Sequence, residues 1–454
     1  MASVQFLKIR FGEAWKAAVI VFVVSRVLYA CWSLVILHFW PIALVQLDLF
    51  DEPLLIAFDT RTNERYVYSR IVNGQMRNFA WSDGDLRDES GTIWSLSCGC
   101  AVGGREEGKV LVKNSDVVED IFPYKGILPY QVPWLGLWQR FDANWYSSIA
   151  LYGYGHSRGD IHFPPLFPAL IRVLLSLTGH PFLAGLVLSH IFTLLMLVVL
   201  YDFVQKQFDS SIAARVLVYL MVFPSAFFFY SAYTESLFVL LVLLFFNALN
   251  AKSWHNAGLL AFIAVLTRLQ GIILFIPLLY TFYRSRASLS LKDVAFGFGL
   301  PIVSGLIYLF IRWSVDDSSV LPISEANLHA RQVFPWENYW YGLQVVFSGR
   351  STLIDLLNLI FTSIFAWLIV MGWRKIPFSL NLYSVASLLV FSSRLVETQP
   401  LNSMIRYVIT LFPCFVLLAI YGRENQVVHR VIIYTCLLLS MYLSAQFWLW
   451  GWVA

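Results

Sequence analysis

The chain is poor in charge. Only 13% of its 454 residues are Asp, Glu, Lys or Arg, and 58% are hydrophobic. A soluble domain carries roughly 25% charged and about 45–50% apolar residues. One soluble core is therefore excluded, and a polytopic membrane protein is expected. The net charge of +4 comes without any basic run suited to nucleic acid. Cysteine is scarce as well. Cys31, Cys414 and Cys436 sit in apolar segments and fill space. Cys98 and Cys100 form a C-x-C with no second pair to complete a zinc site, and a disulfide at that spacing would be strained. A glycine-rich phosphate loop, a nucleophile triad and a metal-ligand spacing are all missing. So is an N-x-S/T acceptor, which decides nothing about compartment. No cofactor is assigned from the residues, and a divalent metal is left open.

Long apolar runs are what the chain does have. The first is expected at 17–40, after "MASVQFLKIRFGEAWK", and reads as an uncleaved signal anchor. Ten more are expected at 183–203, 212–231, 236–251, 256–270, 271–284, 294–313, 352–373, 378–394, 404–421 and 428–450, about 11 transmembrane helices in all. Several are near the short limit for a crossing. The proline-broken stretch "HFPPLFPALIRVLLSLTG", 162–179, carries Arg172 and reads as an interfacial or re-entrant helix. Between the first two spans lies a polar segment. There "PLLIAF", "RYVYSRIV" and "KVLVK" alternate with the turn signals "VNGQ", "SDGD" and "VGGREEG". This predicts a small β-rich extramembrane insertion over 46–125. The expected division is an N-terminal segment with the first helix (1–45), the insertion (46–125), a surface loop with interfacial helices (126–180), and a helical bundle (181–454).

Basic residues set the sidedness. With the N-terminus inside, the inner segments hold or border Lys8, Arg10, Lys206, Arg215, Arg286, Arg374, Lys375, Arg423 and Arg430. Residues 41–160 then fall outside, with about 16 of the 28 acidic side chains against about 11 of the 32 basic ones. The same outer side receives Asp142, His162, Tyr233, Glu235, Arg268, Gln270, Arg331, Glu337, Arg394, Glu397, Arg406 and Tyr407. Ionisable groups at a membrane boundary are costly unless solvated or paired, which makes them functional candidates. Many loop charges merely snorkel, and Arg331, Glu337, Arg394 and Glu397 suit that plainer role. His162 stands alone, either structural or in contact with substrate.

Four positions have tighter contexts. Asp142 lies in "RFDANWYSSIALYGYG", whose aromatics suit the interface. It either caps a short helix over 142–152 or serves as a carboxylate that takes a proton from a hydroxyl. In "FPSAFFFYSAYTESLF", 223–238, a polar turn carries Tyr233 and Glu235. Thr234 or Ser231 could cap the next helix there, and Glu235 suits its positive end. "LTRLQG" places Arg268 and Gln270 between apolar runs, with Gly271 allowing a break. "LNSMIRYVITLFP" does the same for Arg406 and Tyr407. Arginine at this depth suits a lipid phosphate.

These stretches, with "HFPPLFPALIRVL", "AGLLAFIAVLTRLQGIILFIPLL" and "SMIRYVITLFPCFVLLA", resemble in order the motifs of the PIG-V-like mannosyltransferases. That family includes the second GPI mannosyltransferase and prokaryotic relatives. The likeness covers about 16–40 and 138–420. Where the family commonly shows "RWD" and "TRPQG", this chain has "RFD" and "TRLQG", and neither change removes a polar group. The insertion is longer than the family leads one to expect. The resemblance implies a GT-C glycosyltransferase bundle with its active site on the outer or luminal face. It also implies a polyprenyl- or dolichyl-phosphate sugar donor, with mannose the expected sugar, and a lipid or glycan acceptor. Asp142 then becomes the catalytic base of an inverting transfer. Arg268 or Arg406 meets the phosphate, and Tyr233 and Glu235 hold hydroxyls of sugar or acceptor. Gln270 and Tyr407 match the motifs as further substrate-binding positions. The competing reading is a transporter or scramblase of lipid-linked sugars. Such a protein would gather polar groups near the bilayer midplane rather than at one surface.

Overall fold

The computed structural model describes residues 11–49, 52–115, 117–157, 159–285, 290–315, 330–396 and 398–453. Lys8, Arg10, Arg286, Glu397 and much of the expected outer loop at 314–345 lie outside the described residues. The chain clusters into two compact units. One holds Leu28–Trp145 and Ala445–Gly451, and the other holds the remainder.

The first of these contains the β-rich segment. Strands Ile42–Leu49, Glu52–Asp59 and Arg65–Ser69 form an antiparallel sheet, with Leu47 opposite Leu54 and Ile56 opposite Val67. A four-stranded meander follows, of Phe79–Ser82, Asp85–Asp88, Ile93–Trp94 and Ala101–Gly103. The turn signals read in the sequence fall where the chain reverses. Asn73-Gly74 joins Ile71–Val72 to Gln75–Met76, and Asp83-Gly84 joins the first two meander strands. All four turn residues have positive φ, as tight hairpin turns require. Gln46 ties the sheets together: its amide nitrogen donates to the Phe79 carbonyl and its amide oxygen accepts from the Phe79 N–H, both at 2.8 Å. Leu55, Tyr68, Phe79, Leu86 and Trp94 pack on one side as a small core, and Ile56, Phe58, Val67, Phe122 and Tyr124 form another. Cys98 and Cys100 are disulfide-bonded, contrary to the unpaired role expected for them. Gly99 between them, at φ +69°, folds the chain back so that their Cα atoms lie 5.2 Å apart.

Arg140 anchors the end of this unit. It is wholly buried. Its Nε donates to the Trp448 carbonyl at 2.9 Å and its Nη1 to the Gly136 carbonyl at 2.8 Å. Its guanidinium lies over the rings of Phe58 and Trp450. Burial pulls its pKa down to about 10. Phe141, next in the chain, sits in the left-handed region at φ +46° with its ring against Phe447 and Trp450. Few non-glycine residues adopt that conformation.

The other unit is helical, and the chain is an integral membrane protein. Among the described residues, five helices are long and apolar enough to cross a bilayer: Phe11–Phe39, Pro181–Gln207, Leu291–Val315, Leu353–Met371 and Gln426–Trp448. The pair Met404–Thr410 and Phe412–Glu424, bent by 82°, is either a broken sixth span or a re-entrant loop. The other runs expected to cross are shorter helices: Ser210–Val222, Glu235–Asn250, Trp254–Thr267, Leu269–Arg284 and Phe378–Ser392. A 13- to 16-residue helix reaches roughly 20–24 Å, short of the roughly 30 Å hydrocarbon core. The helix expected over 212–231 stops at Val222 because Pro224 follows. A 3₁₀ turn, Ala226–Phe229, replaces its last third. The stretch read as an interfacial or re-entrant helix is helical over Leu166–Thr178, closed by Gly179 at φ +69°.

Candidate functional site

Three breaks in the helical unit supply the site.

The first break carries Glu235. After the Pro224 stop and the 3₁₀ turn, the chain runs through Ser231–Thr234 into the helix Glu235–Asn250. Helix Pro181–Gln207 holds this turn with hydroxyls one helical turn apart. Ser189 Oγ donates to the Tyr233 carbonyl at 3.0 Å, and Thr193 Oγ1 donates to the Phe229 carbonyl at 2.8 Å. Thr234 stands at the cap position without capping. Its hydroxyl instead faces Tyr146 Oη at 3.3 Å and Arg268 Nη1 at 3.4 Å.

The second break carries Arg268. Helix Trp254–Thr267 ends there, with Arg268 in extended conformation before a 3₁₀ turn at Leu269–Leu274. Gly271 makes the fold-back possible. A Cβ at that position would lie 2.5 Å from the Val265 nitrogen and 2.6 Å from the Ala264 carbonyl carbon.

The third break carries Arg406, in the short helix Met404–Tyr407 just before the 82° bend. Both backbone groups of Ile405 are held by buried side chains. Asn358 Oδ1 accepts from its N–H at 2.9 Å, and Ser225 Oγ donates to its carbonyl at 2.7 Å. Asn338 Oδ1 accepts from the Leu401 N–H in the same way. Ser225 thus ties the segment leading to Glu235 to the one carrying Arg406.

The three breaks meet at one atom. Arg268 Nη1 and Arg406 Nε each lie 2.6 Å from Glu235 Oε1. Glu235 has no exposed surface, and the two arginines keep only 7% and 8% of theirs. Glu235 Oε2 is buried and, among the described residues, has no hydrogen-bond partner. The Arg406 guanidinium lies over Phe228 and Tyr233, at 4.8 and 4.7 Å from the ring centroids. Arg268 has Phe238 and Tyr407 beside it at 5.9 and 6.0 Å. Among the described residues, two guanidiniums meet one carboxylate here, walled by aromatic rings. Desolvating such a group is expensive and often contributes no net stability. What the arrangement can do is receive a further anion, because guanidinium donors match carboxylate and phosphate geometry.

Of the residues predicted for the site, Tyr233, Glu235, Arg268 and Arg406 are brought together, and Tyr407 stands at the edge. Gln270 is half-buried and makes no hydrogen bond or ion pair among the described residues. Asp142 opens the helix Asp142–Tyr152, where the sequence placed its start. Its unit differs from that of the arginine cluster. His162 is exposed in a 3₁₀ turn, Asp160–His162. Arg331 and Arg394 lie on a short antiparallel ladder, and Glu337 is exposed on the helix Pro335–Phe347. Sequence reasoning missed Ser189, Thr193, Ser225, Asn338 and Asn358. Their signal was a small polar residue inside an apolar helix or at its break, the kind that bonds between helices in a membrane. Among the described residues, no group of three His, Cys, Asp or Glu side chains gathers that could hold a metal ion.

No family model matches the chain, and no curated protein matches it. A solved structure, ArnT from Cupriavidus metallidurans bound to undecaprenyl phosphate, is similar over 65% of this chain and 58% of its own length. The identity is 15% and the TM-score 0.44. A likeness this distant assigns neither fold nor activity.

Proposed function

We propose that the chain is a glycosyltransferase of the GT-C kind, related to the PIG-V-like mannosyltransferases. It would move a sugar, with mannose expected, from a polyprenyl- or dolichyl-phosphate donor to a hydroxyl of a lipid or glycan acceptor. The reaction would run on the outer or luminal face, with the N-terminus cytoplasmic. The observation that carries this reading is the buried meeting of Arg268 and Arg406 on Glu235, drawn from three separate motifs.

In the proposed step the acceptor oxygen attacks the anomeric carbon and its proton passes to Asp142. The bond from that carbon to the phosphate oxygen breaks, and the lipid phosphate leaves with the electron pair. One base on the face opposite the leaving group gives inversion. The leaving phosphate is already an anion, so it calls for positive charge more than for a general acid. Arg268 and Arg406 supply that charge. Tyr233 and Glu235 Oε2, which has no hydrogen-bond partner among the described residues, are suited to accept from sugar hydroxyls.

The test is incubation of the purified protein in liposomes with a panel of labelled polyprenyl-phosphate sugars and acceptor lipids. A new glycosidic product, with polyprenyl phosphate released, supports the reading. Lipid-linked sugar crossing the bilayer with no covalent product would favour the transporter or scramblase instead. The broken helix at Met404–Glu424 is the feature that reading would use.

A further inference from the structure

We infer that Cys98 and Cys100 are a redox-active pair, a thiol–disulfide exchange site that takes two electrons from a dithiol through Cys98. Every residue involved belongs to the β-rich segment, so the site stands whether or not the transfer reading does.

The disulfide is not what holds its own loop. It joins residues at a sequence separation of 2, and so short a ring removes little freedom from the unfolded chain. Backbone hydrogen bonds already close the loop. The Gly99 N–H donates to the Ser95 carbonyl at 2.9 Å, the Ser95 N–H to the Cys100 carbonyl at 2.8 Å, and the Leu111 N–H to the Gly99 carbonyl at 2.8 Å. The fully buried Tyr68 donates its hydroxyl to the Leu96 carbonyl at 2.8 Å. Its ring packs against Gly99, where a Cβ would lie 2.7 Å from Cε1. None of these bonds needs the disulfide, so the two sulfurs can part and rejoin on a fixed frame.

The two sulfurs are not equivalent. Cys98 is exposed and Cys100 is half-buried, so an incoming thiolate reaches Cys98 first. The Cys100 N–H donates to Cys98 Sγ at 3.2 Å. A backbone donor favours the charged form of the group it meets, and the thiolate is the form that attacks. In the exchange, one thiolate of the dithiol attacks Cys98 Sγ. A new sulfur–sulfur bond forms as the Cys98–Cys100 bond breaks, and Cys100 Sγ leaves with the electron pair and takes up a proton. The second thiol of the reagent loses its proton to water and attacks its own sulfur in the mixed disulfide. That releases Cys98 as a thiolate, which accepts from the Cys100 N–H. The dithiol is oxidised to a disulfide and the pair is reduced. Run backward, the Cys98 thiolate attacks a disulfide and Cys100 resolves the mixed species.

The experiment uses the purified full chain in detergent with dithiothreitol as the dithiol. Alkylation followed by mass spectrometry of the peptide carrying both cysteines reads the state of each. The pair is expected to be bonded when purified without reductant. Dithiothreitol should open it in the folded protein with thermal unfolding unchanged, and oxidised glutathione should close it again. In the reduced protein Cys98 is expected to alkylate about tenfold or more faster than Cys100 near pH 7, the scale that a stabilised, accessible thiolate gives. Cys100→Ser should trap glutathione on Cys98, and Cys98→Ser should trap about tenfold less on Cys100. A pair that opens only in denaturant, or whose opening lowers the unfolding temperature, is a structural staple and overturns the inference. So does a pair found unbonded as purified, or equal reactivity of the two thiols. Should either variant fail to fold, the wild-type measurements decide by themselves.

Discussion

Arg406 Nε donates to Glu235 Oε1 at 2.6 Å across a sequence separation of 171 residues. Neither side chain has more than a trace of exposed surface. The contact joins two segments where proline and small polar residues interrupt apolar helices.

Removal of either arginine should act on the donor first. Arg406→Ala or Arg268→Ala is expected to raise the KM for a polyprenyl-phosphate sugar by about tenfold or more, the scale of a charge-assisted hydrogen bond in a dry site. Steady-state kinetics with donor varied and acceptor saturating reads this out. Unchanged donor binding and turnover would remove both residues from phosphate recognition.

Asp142 should matter to turnover and little to folding. Loss of a general base lowers rates by about 10²–10⁴-fold. Asp142→Ala and Asp142→Asn are expected to fall by that range with thermal unfolding close to wild type. Near-wild-type transfer by purified Asp142→Ala in liposomes would rule out the base, and the helix start would stand as the role of this aspartate.

The neighbouring Arg140 is expected to behave in the opposite way. Its guanidinium is sealed among the carbonyls of Trp448 and Gly136 and the rings of Phe58 and Trp450. Arg140→Met should lower stability by roughly 2–4 kcal/mol, the range for breaking a buried hydrogen-bond network. Thermal unfolding of the purified protein measures it. A variant as stable as wild type would show that the clamp contributes nothing.

In the β-rich segment, Asp88 gives a pH signature. Burial by itself would raise its pKa. Four donors more than offset that: the Ser90 hydroxyl and N–H, the Thr92 N–H and the Trp94 indole, which hold the carboxyl below its usual value. The folded pKa is thus lower than the unfolded one, near 3.9. Its contribution to stability is complete above about pH 4 and is lost as pH falls through the folded pKa. Denaturant unfolding followed by tryptophan fluorescence should show wild type more stable than Asp88→Asn at pH 6, with the gap closing below about pH 4. A gap independent of pH would contradict this.

Gly271→Ala tests the break that presents Arg268. The added methyl meets backbone atoms of Ala264 and Val265 rather than a side chain that could swing away. Overpacking of this kind costs about 1–3 kcal/mol. The variant should lose stability by that amount and donor affinity with it, although no polar group is removed. Stability and kinetics both equal to wild type would show that the fold-back tolerates a side chain.

How much of this was legible in sequence depended on how local the cause was. The hairpin turns at Asn73-Gly74 and Asp83-Gly84 were legible because φ above zero is a property of two residues. So was the start of the helix at Asp142. The end of the helix at Val222 was not read, though Pro224 announced it, because the apolar run continues past the proline and hydropathy alone does not register a broken backbone. The runs expected to cross at 236–251, 256–270 and 378–394 form helices shorter than a full crossing, for a related reason. Apolar composition gives burial but not reach, and helices this short fall below the bilayer thickness.

By itself the sequence determined the class: charge too sparse for a soluble core, apolar runs long enough for a bilayer, and polar motifs at the breaks between them. It also marked Glu235, Arg268 and Arg406 as costly residues in need of partners, since desolvation depends only on a charge and its apolar surroundings. Only the tertiary structure decided that the partners are one another. That pairing depends on Ser225 and Asn358 fixing Ile405, on Ser189 and Thr193 holding the turn before Glu235, and on Gly271 folding beneath Val265. Each is a contact between segments far apart in the chain, and no local periodicity encodes it.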